Sequence, residues 1–165
     1  METTIQILPA SQATPAQQQE MLALMREVFG KSYDDYLWAE DDWYCLAWED
    51  GKQVSHVSIL ERVCRVGGQP VIVGGIGGVA TLPAWRGRGL ATQLLTAAAR
   101  FMQESMQVDF GLLFCGEIMQ PFYSGLGWVK IEADVYFDQP SGRQKSTGVT
   151  MVLPCKETRW QPGEV

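Results

Sequence analysis

The sequence predicts a mixed α/β (α+β) domain: a central, mostly antiparallel sheet with one parallel strand pair, flanked by helices. Three observations carry that expectation. Two tight-turn dipeptides, Asp50-Gly51 and Gly67-Gly68, cut the stretch from Trp43 to Ala80 into three consecutive strand-like segments, the layout of an antiparallel meander. Gly89 to Met106 then places Leu90, Leu94, Leu95, Ala98, Phe101 and Met102 at helical spacing. Phe110 to Cys115 follows as an unbroken apolar run short enough for a buried strand, and strand, helix, strand in that order implies parallel pairing.

Thr4 to Leu8 reads as a short first strand. Thr14, Pro15 and Gln17 supply an N-cap, a first-turn proline and a capping-box glutamine, and Met21, Leu24, Met25 and Val28 continue at helical spacing to an end near Gly30. Lys31 to Asp42 mixes aromatics with acids, and its periodicity does not decide between a short helix and a loop. Trp43 to Trp48, Val54 to Val66 and Gln69 to Ala80 are the strands of the meander, and Pro83 stops the last from continuing. After the buried strand come a brief helix through Met119 to Leu126 and a last pair of strands, Trp128 to Phe137 and Val149 to Leu153. Gln139 to Gly148 is expected as a polar loop, and the tail after Pro154 as weakly structured.

A length of 165 residues suits a single domain, residues 1–165, around one core. Hydrophobic residues make up 46% and charged residues 19%, which excludes a disordered tail. Thirteen Lys and Arg against nineteen Asp and Glu give a net charge of -6, the wrong sign for a phosphate backbone or an anionic membrane. No nucleic acid and no membrane partner is expected, and a cationic small molecule suits the charge. No apolar run approaches the roughly 18 residues of a membrane span, and Met1 to Ala10 lacks the layout of a secretion signal, so the expected compartment is cytoplasmic. Cys45, Cys64, Cys115 and Cys155 lie far apart with no C-x-x-C pair and one histidine, His56; no metal is expected, and the thiols read as small buried hydrophobes. A Cys115 and His56 nucleophile pair is the lesser alternative.

The most informative stretch runs from Gly74 to Ala91. Gly75-x-Gly77-x-x-Ala80 formally matches a dinucleotide fingerprint, but that motif needs a helix to open directly after it, and Pro83 denies that context. No Walker sequence is present. Arg86-Gly87-Arg88-Gly89-Leu90-Ala91 differs because it sits at a strand-to-helix junction, where glycines leave bare N–H groups beside the positive end of a helix dipole. Such a junction seats a diphosphate, with Arg86 and Arg88 adding charge; the plainer alternative is a glycine-rich turn with solvated arginines. Gly74, Gly75, Gly77 and Gly78 each weaken a strand by roughly 0.5 to 1 kcal/mol, which points to a bulge or to a ligand approaching the backbone, or else to a crowded hairpin.

Arg86-x-x-Gly89-x-Ala91 resembles the acyl-CoA pyrophosphate loop of the GNAT acetyltransferase superfamily, and the order of elements agrees with that fold along nearly the whole chain. Phe122-Tyr123-Ser124-Gly125-Leu126-Gly127-Trp128 resembles the superfamily's late helix-turn-strand segment. Gly78-Val79-Ala80 with Trp85-Arg86-Gly87, Trp48-x-x-Gly51 leading to His56, the Tyr123 segment and the ending Trp160 to Val165 resemble, more narrowly, the aminoglycoside 2'-N-acetyltransferases. The related nodulation acyltransferase shares the character of Phe114 to Trp128. Lys145-Ser146-Thr147 stands where the antibiotic-modifying group has an acidic run, and the chain stops at Val165 where those enzymes carry a further aromatic.

The resemblance implies the GNAT fold with its parallel pair splayed, acetyl-CoA as donor, a small-molecule amine as acceptor and, as is common in the superfamily, a homodimer. It places the thioester along Val79, Ala80 and Thr81, with a backbone N–H of Val79 or Ala80 holding the carbonyl oxygen, and the diphosphate on Arg86, Gly87, Arg88, Gly89, Leu90 and Ala91. It makes Tyr123 the general acid, for which a phenol protonated at neutral pH is chemically suited. The base is open between His56, Glu117 and a water relay. Lys31 to Gly51 holds seven acids, Asp34, Asp35, Glu40, Asp41, Asp42, Glu49 and Asp50, against Lys31 alone. That segment borders the acceptor in the superfamily, so Asp35, Asp41 and Asp42, with Gly78 and Phe114, are the expected acceptor contacts; a solvated acidic face is the plainer alternative. Two further functions stay open: transfer of a longer acyl group to an amino sugar, and a CoA-binding sensor without turnover.

Overall fold

The computed structural model describes residues 2–35, 37–156 and 160, and the side chains of all of these except Ser32 and Asp35. Strand β1 (Thr4–Pro9) leads into helix α1 (Pro15–Phe29), whose start Thr14 fixes: its hydroxyl accepts from the Gln17 N–H at 3.2 Å, and the Gln17 side-chain oxygen accepts from the Thr14 N–H at 2.9 Å. That reciprocal box satisfies two donors that would otherwise lack partners. Met21, Leu24 and Met25 form the buried face of α1. The segment that periodicity left undecided is a 3-10 helix, Gly30–Asp35, and, from Leu37 to Asp42, irregular chain.

β2 (Trp43–Glu49), β3 (Lys52–Val66) and β4 (Gln69–Thr81) form the expected meander, turning at Asp50-Gly51 and Gly67-Gly68, all four with positive φ. Helix α2 (Leu90–Phe101) continues as a π-helical turn, Met102–Met106, so the helical stretch ends where its spacing predicts but widens in its last turn. β5 (Phe110–Cys115) then runs parallel to β4, with Val73 opposite Phe110 and Ile76 opposite Leu113. A 3-10 turn, Glu117–Met119, and helix α3 (Gln120–Ser124) follow. The seven-stranded sheet has the order β1-β2-β3-β4-β5-β9-β6, where β6 is Val129–Lys130 and β9 is Val149–Pro154.

The C-terminal third departs from the expected pair of strands. Trp128 to Phe137 is not one strand: β6 has two residues, and β7 (Tyr136–Gln139), at the end of the expected strand, pairs instead with β8 (Gly142–Lys145), which lies inside the expected polar loop, as a separate hairpin. No apolar alternation marks β8, whose residues Gly-Arg-Gln-Lys are exposed; the hairpin is held by its backbone ladder, by Arg143 4.3 Å from the Tyr136 ring centroid and by Lys145 2.7 Å from Asp134. Beyond Trp160, the ending that carried part of the resemblance lies outside the described residues.

The chain divides into two compact units, Met1–Leu60 with Gly77–Ala98, and Glu61–Ile76 with Ala99–Val165. In the first, Leu8, Met21 and Leu46 pack with Tyr44 and Trp48, and Leu24, Met25, Ala80 and Leu82 with Val28 and Trp85. In the second, Val73, Phe110, Leu112 and Val152 pack with Ile131 and Trp160, the Trp160 ring standing edge-on to Phe110 at 5.1 Å. No described helix is long and apolar enough to cross a membrane.

Gly111 in β5 is demanded by packing. A Cβ there would lie 2.8 Å from the Trp128 ring and 3.2 Å from the Leu153 Cβ, both firmly held, whereas one on Gly77 would meet only the Ser58 Cβ at 4.0 Å. Gly111→Ala is expected to cost about 1 to 3 kcal/mol in urea denaturation, and Gly77→Ala to stay within about 0.5 kcal/mol of the parent.

Candidate active site

From Gln53 to Ile59, β3 is buried without a break although four of these residues are polar: Gln53, Ser55, His56 and Ser58. Buried polar side chains need partners, and three of them find theirs in neighbouring segments. The Ser55 hydroxyl donates to the Ala80 carbonyl at 2.9 Å and lies 2.8 Å from the Thr81 hydroxyl. His56 Nδ1 lies 2.9 Å from the Gly78 carbonyl, and Ser58 donates to Asp41 Oδ2 at 2.9 Å. The carbonyls of Gly78 and Ala80 are therefore turned toward β3. In a trans peptide the next N–H points the opposite way, so the N–H groups of Val79 and Thr81 face away from β3. Gly78 makes the local turn with φ +54° in an otherwise extended strand, and a Cβ there would come within 2.7 Å of Met25 Cε and 3.1 Å of the His56 ring.

β4 leads through a 3-10 turn, Pro83–Trp85, into the junction with α2. Gly87 and Gly89 have φ of +76° and +75°, with no atom within 4 Å of where their side chains would be. The junction is thus a bare backbone, continued by the first-turn N–H groups of Leu90 and Ala91, which no intrahelical carbonyl can satisfy. An anion of diphosphate size fits that donor set. Both arginines also hold protein partners: Arg86 Nε donates to the Thr81 carbonyl at 3.1 Å, and Arg88 makes a two-point contact with Glu49 at 2.8 Å on each oxygen. Glu49, with 1% of its side chain exposed, also accepts from the Thr3 hydroxyl at 2.8 Å and from Trp85 Nε1 at 3.0 Å. The Thr3 hydrogen bond, with those from Arg88 and Trp85, holds its carboxyl below the usual carboxylate range against the opposing effect of burial. Arg88 thus ties the turn to the end of β2.

In the second unit, Tyr123 is buried in α3, its ring edge-on to Phe122 at 5.1 Å and its carbonyl accepting from the Trp128 N–H at 3.2 Å. Burial first, and then the Cys115 thiol, push its hydroxyl up to about 12, so it keeps its proton at neutral pH. Glu117 is exposed at the start of its 3-10 turn, and Phe114 is 48% exposed on β5. Burial raises all four thiols above their ordinary value, Cys45 to about 12, which argues against a thiolate nucleophile. Among the described residues no group of three or more metal-ligating side chains forms.

Of the acids expected at the acceptor, Asp41 is half-buried against Ser58, and Asp42 is placed by its backbone, its N–H on the Ile59 carbonyl at 3.0 Å and its carbonyl on the Ala10 N–H at 2.9 Å. The side chain of Asp35 lies outside the described residues. Glu49 does not belong with them, being enclosed by its donors. Ser55, which touches Ala80 and Thr81, and Glu49 as the partner of Arg88 are neighbours of the candidate site that motif reading passes over. Their available signal was polar residues within segments otherwise apolar enough to be buried.

His56, 2% exposed, has its imidazole pushed down to about 4 by burial, which outweighs the raising effect of the Gly78 carbonyl. The folded protein holds it neutral while the unfolded chain protonates near 6.5, so stability is full above that pH and falls as the pH drops toward 4. Between pH 7.5 and 4.5 this residue is expected to account for about 2 to 3 kcal/mol of lost stability. His56→Asn should flatten that part of the curve when urea midpoints are compared across the range.

Residues 10–131 match the family described as acetyltransferase (GNAT) domain. Among solved structures, the chain is similar to Escherichia coli ElaA, at 19% identity over 92% of this chain and 99% of that one, with a TM-score of 0.68. An acyl-CoA N-acyltransferase from Pseudomonas aeruginosa gives 20%, the same coverages and 0.69. FeeM, an N-acyl amino acid synthase from uncultured soil microbes, gives 14% over 94% and 92% of the two chains, with 0.66. The meander, the parallel β4–β5 pair and the glycine junction opening α2 are thus those of a known fold, and this chain belongs to the GNAT acetyltransferase family, as an acyl-CoA-dependent N-acetyltransferase.

Proposed function

We propose that the chain moves an acetyl group from acetyl-CoA directly to the primary amine of a small cationic acceptor, aminoglycosides being among the candidates. One observation supports this most: the row of N–H groups on β4 facing away from β3, at Val79 and Thr81, leads into the bare Gly87 and Gly89 turn and the start of α2. An extended thioester arm ending in a diphosphate needs donors in that sequence. The Val79 N–H, turned away from β3 by the Gly78 carbonyl's contact with His56, is the oxygen-holding donor of this reading. Gly87, Gly89, Leu90 and Ala91 supply backbone donors to the diphosphate, Arg86 adds charge, and Arg88 holds the turn through Glu49.

In the reaction, the neutral amine nitrogen forms a bond to the thioester carbonyl carbon, and the carbon–sulfur bond breaks. The Val79 N–H stabilises the carbonyl oxygen as it gains negative charge. Tyr123 gives its proton to the departing thiolate, and the proton shed by the amine returns to Tyr123 through water. His56 is enclosed, with Nδ1 on the Gly78 carbonyl, and is not open to an incoming ammonium; exposed Glu117 or a water relay is the proposed route for that proton. Gly78 and Phe114, with Asp41, Asp42 and Asp35, are the proposed acceptor contacts.

A longer acyl donor is a second reading, supported by exposed apolar side chains after and within β5: Phe114 at 48%, Ile118 at 90% and Met119 at 42%. The FeeM likeness fits it.

Thiol release measured across a panel of amines with acetyl-CoA and longer acyl-CoA thioesters decides among these. Release with a cationic amine and acetyl-CoA is expected; binding without release from any amine would instead mark a CoA sensor. Tyr123→Phe should lower kcat by roughly 10²- to 10⁴-fold with little change in the acetyl-CoA KM. Asp41→Asn with Asp42→Asn should raise the acceptor KM well above any rise in the acetyl-CoA KM; equal rises would remove these acids from the acceptor site.

A further inference from the structure

The peptide between Gly78 and Val79 is oriented by ψ of Gly78 and φ of Val79. With no Cβ, Gly78 restricts its ψ less than a side-chain-bearing residue would, so its carbonyl and the Val79 N–H, which point in opposite directions across one trans peptide, swing together about the strand. Whatever holds the Gly78 carbonyl therefore decides where the Val79 N–H points. Among the described residues, His56 Nδ1 lies on that carbonyl, at 2.9 Å.

We infer that His56 is a positioning residue: its Nδ1–H holds the Gly78 carbonyl toward β3 and thereby aims the Val79 N–H out of the opposite edge of β4 at the thioester oxygen. The inference rests on the acetyl-CoA reading above. The Gly78 carbonyl can only accept, so Nδ1 carries the hydrogen and Nε2 the lone pair. The ring is 2% exposed, tilted against Tyr44 with centroids 5.7 Å apart, and packed on the Cα of Gly78 so closely that a Cβ there would lie 3.1 Å from Cε1 and 3.2 Å from Nδ1. Ring and peptide are thus mutually fixed: the imidazole cannot swing away from the carbonyl, and the missing side chain of Gly78 is the space that lets it come so near. A residue so enclosed and held neutral keeps one hydrogen-bonding state across the working pH range. Ser55 does for Ala80 what His56 does for Gly78, but through a carbonyl beside a residue with ordinary extended geometry.

Asparagine and phenylalanine separate this role from that of a base. An Asn side-chain N–H sits where Nδ1–H sits and has no basic lone pair, whereas Phe keeps the ring volume without the donor. The readout is the carbonyl stretch of bound acetyl-CoA carrying ¹³C in the acetyl carbonyl, followed by difference infrared spectroscopy, with acetyl-CoA dissociation constants measured in parallel. In the parent the stretch should be lowered from that of free acetyl-CoA; His56→Phe should return it nearly to the free value, and His56→Asn should keep it lowered, with dissociation constants within about threefold throughout. Where turnover is measured, His56→Phe should lose roughly 10²- to 10³-fold in kcat, the loss seen when one such donor is removed, and His56→Asn should recover most of it. A stretch that stays lowered in His56→Phe, or one lost in a folded His56→Asn, overturns the inference while leaving the donor reading intact. If His56→Phe does not fold, the His56→Asn spectrum decides alone. Absence of acetyl-CoA binding to the parent overturns the donor reading and this inference together.

Discussion

The chemistry proposed for this protein depends on the directions in which the peptide groups of β4 point between Gly78 and Thr81. A strand has two edges, and here one is occupied by β3 through side chains as well as backbone: His56 reaches Gly78, and Ser55 reaches Ala80. Alternation then leaves Val79 and Thr81 to face the other way. The +54° φ at Gly78 is what departs from simple alternation. A side chain at that position would meet both the left-handed penalty of about 1 to 2 kcal/mol and a collision with Met25 and the His56 ring. The glycine is therefore required twice, once by its backbone angle and once by the closeness of the imidazole.

The same segment explains how an acidic protein can hold an anionic cofactor. The net charge of -6 works against a diphosphate at long range, and one of the two junction arginines is committed to Glu49. What remains local is a set of backbone donors at Gly87, Gly89 and the first turn of α2, with the helix dipole behind them and Arg86 alongside. Dipoles fixed by the backbone do not titrate and need no side-chain ordering. The Arg88–Glu49 contact, reinforced by Thr3 and Trp85, keeps that turn in register with the end of β2. A charge-assisted, two-point bond is suited to this because it fixes orientation as well as distance. Arg88 thus acts on the anion seat by shaping it.

Much of the fold was legible because its boundaries are local chemistry. The Thr14 and Gln17 box, the Asp50-Gly51 and Gly67-Gly68 turns and the apolar run Phe110 to Cys115 each specify their element with little tertiary help. The β7–β8 hairpin was not legible, since β7 is only half-buried and β8 is exposed throughout and carries no apolar alternation to read. At the site, the glycine junction and Tyr123 were visible as spacing. The partners of those residues were not: Glu49 with Arg88 lies 39 positions away, and His56 with Gly78 lies 22 away. Contacts across such separations follow from sheet register, which a single sequence specifies only through its turns.

The proposed proton donor, Tyr123, has a cost built into its protection. Burial that raises the Tyr123 hydroxyl to about 12 keeps it fully protonated but also makes it a weaker acid than a free phenol. Against a thiol with an ordinary pKa of about 8.5, transfer from such a phenol is uphill by about 5 kcal/mol. Two effects reduce that gap. The desolvation that raises Tyr123 also raises a thiol in the same surroundings, as Cys115 beside it shows. The amine, once bonded to the carbonyl carbon, becomes far more acidic than a free ammonium and supplies the proton that restores the phenol. Tyr123 therefore need not accumulate as phenolate at any stage; a hydrogen bond that becomes a proton transfer only as the carbon–sulfur bond lengthens is sufficient. In the proposed mechanism that places the burden of rate on the alignment of Val79 with the carbonyl oxygen, where charge develops earlier, and hence on the turn at Gly78.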